Sequence, residues 1–226
     1  MIASEKQKII FLKPRKVAGT SFEIALSKFM DESAIITPIS ADDEALRTDL
    51  GFQGAINYLD QSKNDKKIKR FYNHLPASLC RARLGKSYWE GCTKVSIVRN
   101  PWDVAVSLYY FVHGKEADLS QLSAWYLQGE GQHHLCRNRE HYFIDKQMVI
   151  DRFIRFEHFE SDILQIENDY SQFKGLHDTF SRIHAKAGLR SDNSRLLHKV
   201  FVEHPELRDI IAAKSSFEIN SFGYSL

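Results

Sequence analysis

The chain has 226 residues, 43% of them hydrophobic, and 31 Lys and Arg against 29 Asp and Glu give a formal net charge of +2. That length and apolar content suffice for the core of a single domain over 1–226, and the near-balanced charge excludes the broad basic field of a nucleic-acid binder. No apolar run approaches the roughly 20 residues that cross a bilayer, and Met1-Ile2-Ala3-Ser4-Glu5-Lys6 has no secretory apolar region, so the expectation is a cytoplasmic protein with no transmembrane segment.

The first element is the apolar run Ile9 to Leu12, which reads as a strand. It leads into Lys13-Pro14-Arg15-Lys16-Val17-Ala18-Gly19-Thr20-Ser21, and the pattern Phe22, Ile24, Ala25, Leu26, Phe29 then reads as a helix. Gly19 allows the backbone to approach a ligand closely, and Thr20 and Ser21 supply hydroxyls where a helix start leaves its N–H groups open. A strand, a cationic loop and a helix start make a site for phosphate or sulfate, with Arg15, Lys16, Ala18, Gly19, Thr20 and Ser21 as candidate contacts. The lysine precedes the glycine, so the loop is not the G-x-x-x-x-G-K-[ST] loop of nucleotide triphosphate enzymes.

After a polar stretch from Asp60 to Lys67, His74 stands in Phe71-Tyr72-Asn73-His74-Leu75-Pro76-Ala77, at the end of an aromatic run and before an expected helix. Thr93 to Val98 is a β-branched strand pattern, followed by Arg99-Asn100-Pro101-Trp102-Asp103 and apolar residues at helical spacing, with Pro101 suited to a first helical turn. Arg99 has the geometry to fork two donors onto a phosphate, and Ser107 lies roughly 9 Å further along the helix axis than Pro101.

Between Gly129 and Tyr142, His133, His134, Cys136 and His141 have ligand chemistry but no zinc spacing, and the stretch reads as a variable loop over an acceptor. Cys80, Cys92 and Cys136 are odd in number and far apart, which suits reduced, mostly buried thiols. Arg152 to Phe156 alternates as a strand and precedes a helix pattern at Ile163, Leu164, Ile166 and Tyr170. Lys186 and Arg190 lie in a loop able to close over a ligand, and Leu196, Leu197, Val200, Phe201, Leu207, Ile210 and Ile211 mark C-terminal helices. The strands, each followed by a helix, imply an α/β fold with a mostly parallel central sheet flanked by helices, whose ligands bind outside the carboxyl ends of the strands.

Lys16-Val17-Ala18-Gly19-Thr20-Ser21 resembles the 5′-phosphosulfate loop of sulfotransferases, roughly P-K-x-x-G-T-S, with Arg15 standing between Pro14 and the lysine. Arg99-Asn100-Pro101 with Ser107 and Tyr109 resembles their 3′-phosphate motif, roughly R-[DN]-P-x-x-x-x-x-S-x-Y, and Phe222-Gly223-Tyr224 resembles the ending of bacterial sulfotransferase domains. The resemblance is to carbohydrate sulfotransferases, and it implies a P-loop-like sulfotransferase fold and a soluble bacterial enzyme of carbohydrate sulfation. The donor would be 3′-phosphoadenylyl sulfate (PAPS), leaving adenosine 3′,5′-bisphosphate (PAP), and the acceptor a hydroxyl of a carbohydrate or glycolipid. Sulfuryl transfer needs a base for the acceptor proton, and His74-Leu75-Pro76 is similar to the family's histidine between its two phosphate motifs, with Glu157 then structural. Lys16 would assist the leaving phosphate, favoured over Lys13 by its spacing to Gly19. The strand before Arg99 ends without a metal-holding carboxylate, so the expected transfer is independent of metal. The alternatives are a nucleotide kinase or other phosphoryl transferase, which would need magnesium, and a non-catalytic nucleotide-binding module, which would have no use for His74.

Overall fold

The computed structural model describes residues 1–59, 70–114, 116–183 and 200–226. The polar stretch 60–67, Lys186, Arg190, Leu196 and Leu197 lie outside the described residues. The backbone gathers into two compact units, Met1–Ile97 with Glu140–Ala185, and Val98–Arg139 with Lys186–Leu226.

The first unit is an α/β assembly on a five-stranded sheet of order β3-β1-β2-β4-β7, formed by β1 (Ile2–Ser4), β2 (Ile9–Leu12), β3 (Ile35–Ile36), β4 (Thr93–Val98) and β7 (Arg152–Arg155). Only residues 5–8 join β1 to β2, and so short a connection makes antiparallel neighbours, pairing Ile2 with Phe11 and Ser4 with Ile9. β3 is also antiparallel to β1, whereas β2 and β4 run parallel, with Ile9 opposite Thr93 and Leu12 opposite Ser96. The sheet is therefore mixed, which corrects the expectation of a mostly parallel one. β1 is three residues long, too short to show a period in sequence, and it takes its ladder bonds from β2 and β3. Every residue of β2 is buried, as an apolar run in the middle of a covered sheet requires.

Helices flank this sheet. Helix α1 (Gly19–Ser27) packs on α10 (Leu176–Ser181), α10 on α9 (Phe159–Asp169), and α9 on β7. Around them lie α2 (Ala41–Asp49), α3 (Ala77–Leu84) and α4 (Lys86–Glu90), with a small hairpin of β5 (Phe143–Ile144) and β6 (Gln147–Met148) beside α3. Strand β7 ends where the Arg155 guanidinium donates to both carboxylate oxygens of Asp162, at 2.9 and 2.7 Å. Asp162 thus braces the strand end.

The second unit is helical. Helix α11 (Pro205–Lys214) packs on α5 (Pro101–His113), α6 (Leu122–Leu127) and α7 (Glu130–Cys136), and α12 (Ser216–Phe222) follows it. The segment expected as a loop between Gly129 and Tyr142 instead forms α7 and the short α8 (Arg139–Tyr142). Two glycines suggested a loop, but Gly131 is helical for packing: a Cβ there would lie 2.8 Å from the Trp125 ring and 2.9 Å from that of Tyr126. Gly223, at φ 68°, ends α12 in the left-handed conformation that favours glycine. The expected mostly buried thiols are found, with Cys80 and Cys92 buried, Cys136 partly so, and all three unbridged. Among the described residues no helix is long and apolar enough to cross a membrane.

Candidate functional site

In the first unit the chain leaves β2 at Lys13 and turns through two left-handed residues, Lys16 at φ 61° and Ala18 at φ 57°. Left-handed backbone is costly for residues with a Cβ, of order 1–2 kcal/mol each, and such strain concentrates where a loop must hold a fixed shape. The turn delivers Gly19 to the start of α1, where Ala18 provides no side-chain cap and no acidic residue occupies the first turn. Neither a cap from Ala18 nor a first-turn carboxylate competes with an anion at the positive end of this helix. Arg15, Lys16 and Thr20 are half-buried, Ala18 is exposed, and Gly19 and Ser21 are buried.

Gly19 has a specific reason to lack a side chain, because a Cβ would stand 2.7 Å from Lys13 Cγ. The Lys13 side chain runs beneath the loop, 1% exposed, and its ammonium pairs with the fully buried Glu23 of α1. Burial alone would raise the Glu23 pKa, but the facing Lys13 and Met1 ammonium groups hold it down at about 2. Of the two lysines offered by the sequence, Lys13 is therefore committed to the interior, while Lys16 lies in the loop itself and is partly exposed.

His74 joins this arrangement directly. Its Nδ1 lies 2.8 Å from the Lys13 carbonyl oxygen, which can only accept, so Nδ1 carries the hydrogen and the neutral ring presents an unprotonated Nε2. Burial first, and the Lys13 charge second, push the His74 pKa down to about 3. The ring is thus in its base form across the neutral range. His74 itself is left-handed, at φ 59°, a third such residue at this site.

Sequence reading grouped His141 with His133, His134 and Cys136; His141 belongs to the first unit and the other three to the second. The buried His141 ring stands perpendicular to His74 at a centroid distance of 6.4 Å. It is carried there by α8, whose Tyr142 hydroxyl donates to the Ile97 carbonyl at the end of β4. In the second unit His134 stacks on Trp125 at 5.7 Å and His133 lies beside His134. No group of three or more His, Cys, Asp or Glu is placed to hold a metal among the described residues.

The second anion motif belongs to the second unit. Asn100 caps α5, its side-chain oxygen accepting from Trp102 N at 3.1 Å, and Pro101 occupies the first turn. Arg99 is 7% exposed with Nη2 3.5 Å from Asp103 Oδ2, and Ser107 is half-buried on α5. Asn100 Nδ2 also donates to the Ser225 carbonyl at 2.9 Å, fastening the C-terminal segment to this corner. Nothing in the sequence pattern signals that link, which depends on where α12 delivers the tail. Trp102, Trp125 and Tyr109 are buried, and Tyr109 meets Trp125 edge-on at 5.6 Å, so these aromatics build the core of this unit.

No protein-family model matches the chain, and no curated protein or solved structure matches it.

Proposed function

We propose that the protein is a PAPS-dependent sulfotransferase that moves the sulfuryl group to an acceptor hydroxyl, on a carbohydrate or glycolipid by the resemblance of its motifs. The observation that carries this reading is His74, held by the Lys13 carbonyl with Nε2 unprotonated and fastened to the loop that enters α1 without a side-chain cap from Ala18. A phosphate-binding module has no need of a neutral imidazole at that place. A sulfuryl transferase does, since the acceptor hydroxyl must lose its proton as its oxygen attacks sulfur.

In this mechanism Lys16 and the α1 amides receive the 5′-phosphosulfate, with Arg15, Thr20 and Ser21 around it, and Arg99 and Ser107 serve the 3′-phosphate. His74 Nε2 takes the proton from the acceptor oxygen, which bonds to sulfur as the bond from sulfur to the phosphate oxygen breaks. Lys16 stabilises the charge that develops on that leaving phosphate. The protein's own cations, not a metal, neutralise the anions in this reading.

Calorimetry with PAP and a transfer assay with labelled PAPS and an acceptor panel test it, both repeated with EDTA. PAP is expected to bind with EDTA present, and Arg99→Ala to weaken it about 10-fold to 100-fold, the worth of a charge-assisted hydrogen bond. His74→Ala is expected to keep PAP affinity and lose roughly 10²-fold to 10⁴-fold in turnover. Normal turnover in His74→Ala would remove the base from the mechanism, and strict dependence on magnesium would favour a phosphoryl transferase.

A further inference from the structure

We infer that Lys13 is a positioning residue: its carbonyl aims the His74 ring while its buried side chain props the anion loop at Gly19 and locks onto α1 through Glu23. The inference rests on the reading of His74 as the base. Three contacts of one residue carry it. The carbonyl holds His74 Nδ1 at 2.8 Å, the side chain fills the space that a Cβ on Gly19 would need, and the ammonium pairs with buried Glu23.

A buried ion pair is a poor device for stability alone, because well-packed apolar residues of similar volume hold helices as firmly or better. The Lys13 charge has a second effect here. His74 is faced by Lys13 from the end of β2, by His141 from α8 and by the Met1 ammonium, and each of these disfavours a proton on its ring. The anion loop and the base therefore share one support: a shift of the Lys13 backbone moves the imidazole, and a shift of its side chain moves Gly19. Lys13, 1% exposed, acts through these neighbours.

The test is NMR of protein labelled in its histidine rings, with His74→Gln assigning the signals, beside pH–rate profiles. In the native protein the His74 ring is expected as the Nδ1–H tautomer, with no titration between pH 8 and pH 5. In Lys13→Met/Glu23→Gln, which removes the Lys13 charge and keeps an amide oxygen to accept from the Met1 amino group that Glu23 also pairs with, the ring is expected to stay Nδ1–H and to titrate higher by roughly one pH unit or more. The acid limb of the rate profile should move with it. An Nε2–H tautomer in the native protein, or an unmoved His74 titration in the double variant, would overturn the inference. If the double variant does not fold, the native tautomer decides alone. Full turnover in His74→Ala would instead sink the assignment of the base, while the tautomer and titration would still report on Lys13.

Discussion

The corner after β2 and the corner after β4 share one plan, strand to turn to helix, and they finish it in opposite ways. At the first, the helix starts from a left-handed Ala18 with no side-chain cap. At the second, Asn100 and Pro101 close the helix start, and the Arg99 guanidinium lies beside Asp103. One corner spends conformational strain to expose backbone, and the other is locally relaxed and presents a guanidinium. The comparison shows that a shared sequence plan fixes neither how a helix start is capped nor where the folding cost lies.

The largest effect should come from the support beneath the first corner. Glu23→Ala leaves the Lys13 ammonium buried without its partner, and a loss of about 3–5 kcal/mol in unfolding free energy is expected by denaturant titration. Retention of native stability would mean that the two corners differ only in their surface chemistry.

Acid sharpens the same contrast. The His74 pKa is about 3 when folded against an ordinary 6.5, so the unfolded chain takes up its proton first and stability falls as pH drops from 6.5 toward 3. Glu23, depressed to about 2 from 4.5, adds a loss in the same direction below pH 4.5. Between pH 7 and pH 5.5 the His74 part amounts to about 1 kcal/mol, and His74→Gln should abolish it in denaturant titrations at the two values.

The smallest effects separate the helix starts themselves. Asn100→Ala removes a working cap and should cost about 1 kcal/mol. Ala18→Gly relieves a left-handed residue and should be neutral or stabilising by up to about 1 kcal/mol. Thermal melts of both variants check the signs. Equal losses at the two positions would erase the distinction drawn between the corners.

Much of the frame was legible in the chain. Runs of β-branched and apolar residues with the right punctuation marked β2, β4, β7 and the helices after them, because short-range patterning reports which face of an element is buried. The first corner was readable as a turn from strand to helix from Gly19 and the residues around it, and Arg99 as the residue at a strand end from the β-branched run before it. The mixed sheet was not legible, since β1 is three residues long and gains its identity from pairing with β2. Helix α7 was hidden because Gly131 looks like a loop residue until the Trp125 and Tyr126 rings beside it are seen.

By itself the sequence determined the α/β character of the chain, the order of the two corners and the residue types gathered there, all of which follow from local spacing. Tertiary structure decided that Lys13 is buried against Glu23 while Lys16 stays in the loop, that His74 hangs from the Lys13 carbonyl, and that His141 stands at its side. Those pairings join residues 10 to 67 positions apart. Such contacts form only when distant segments are packed together, and no periodicity along the chain encodes them.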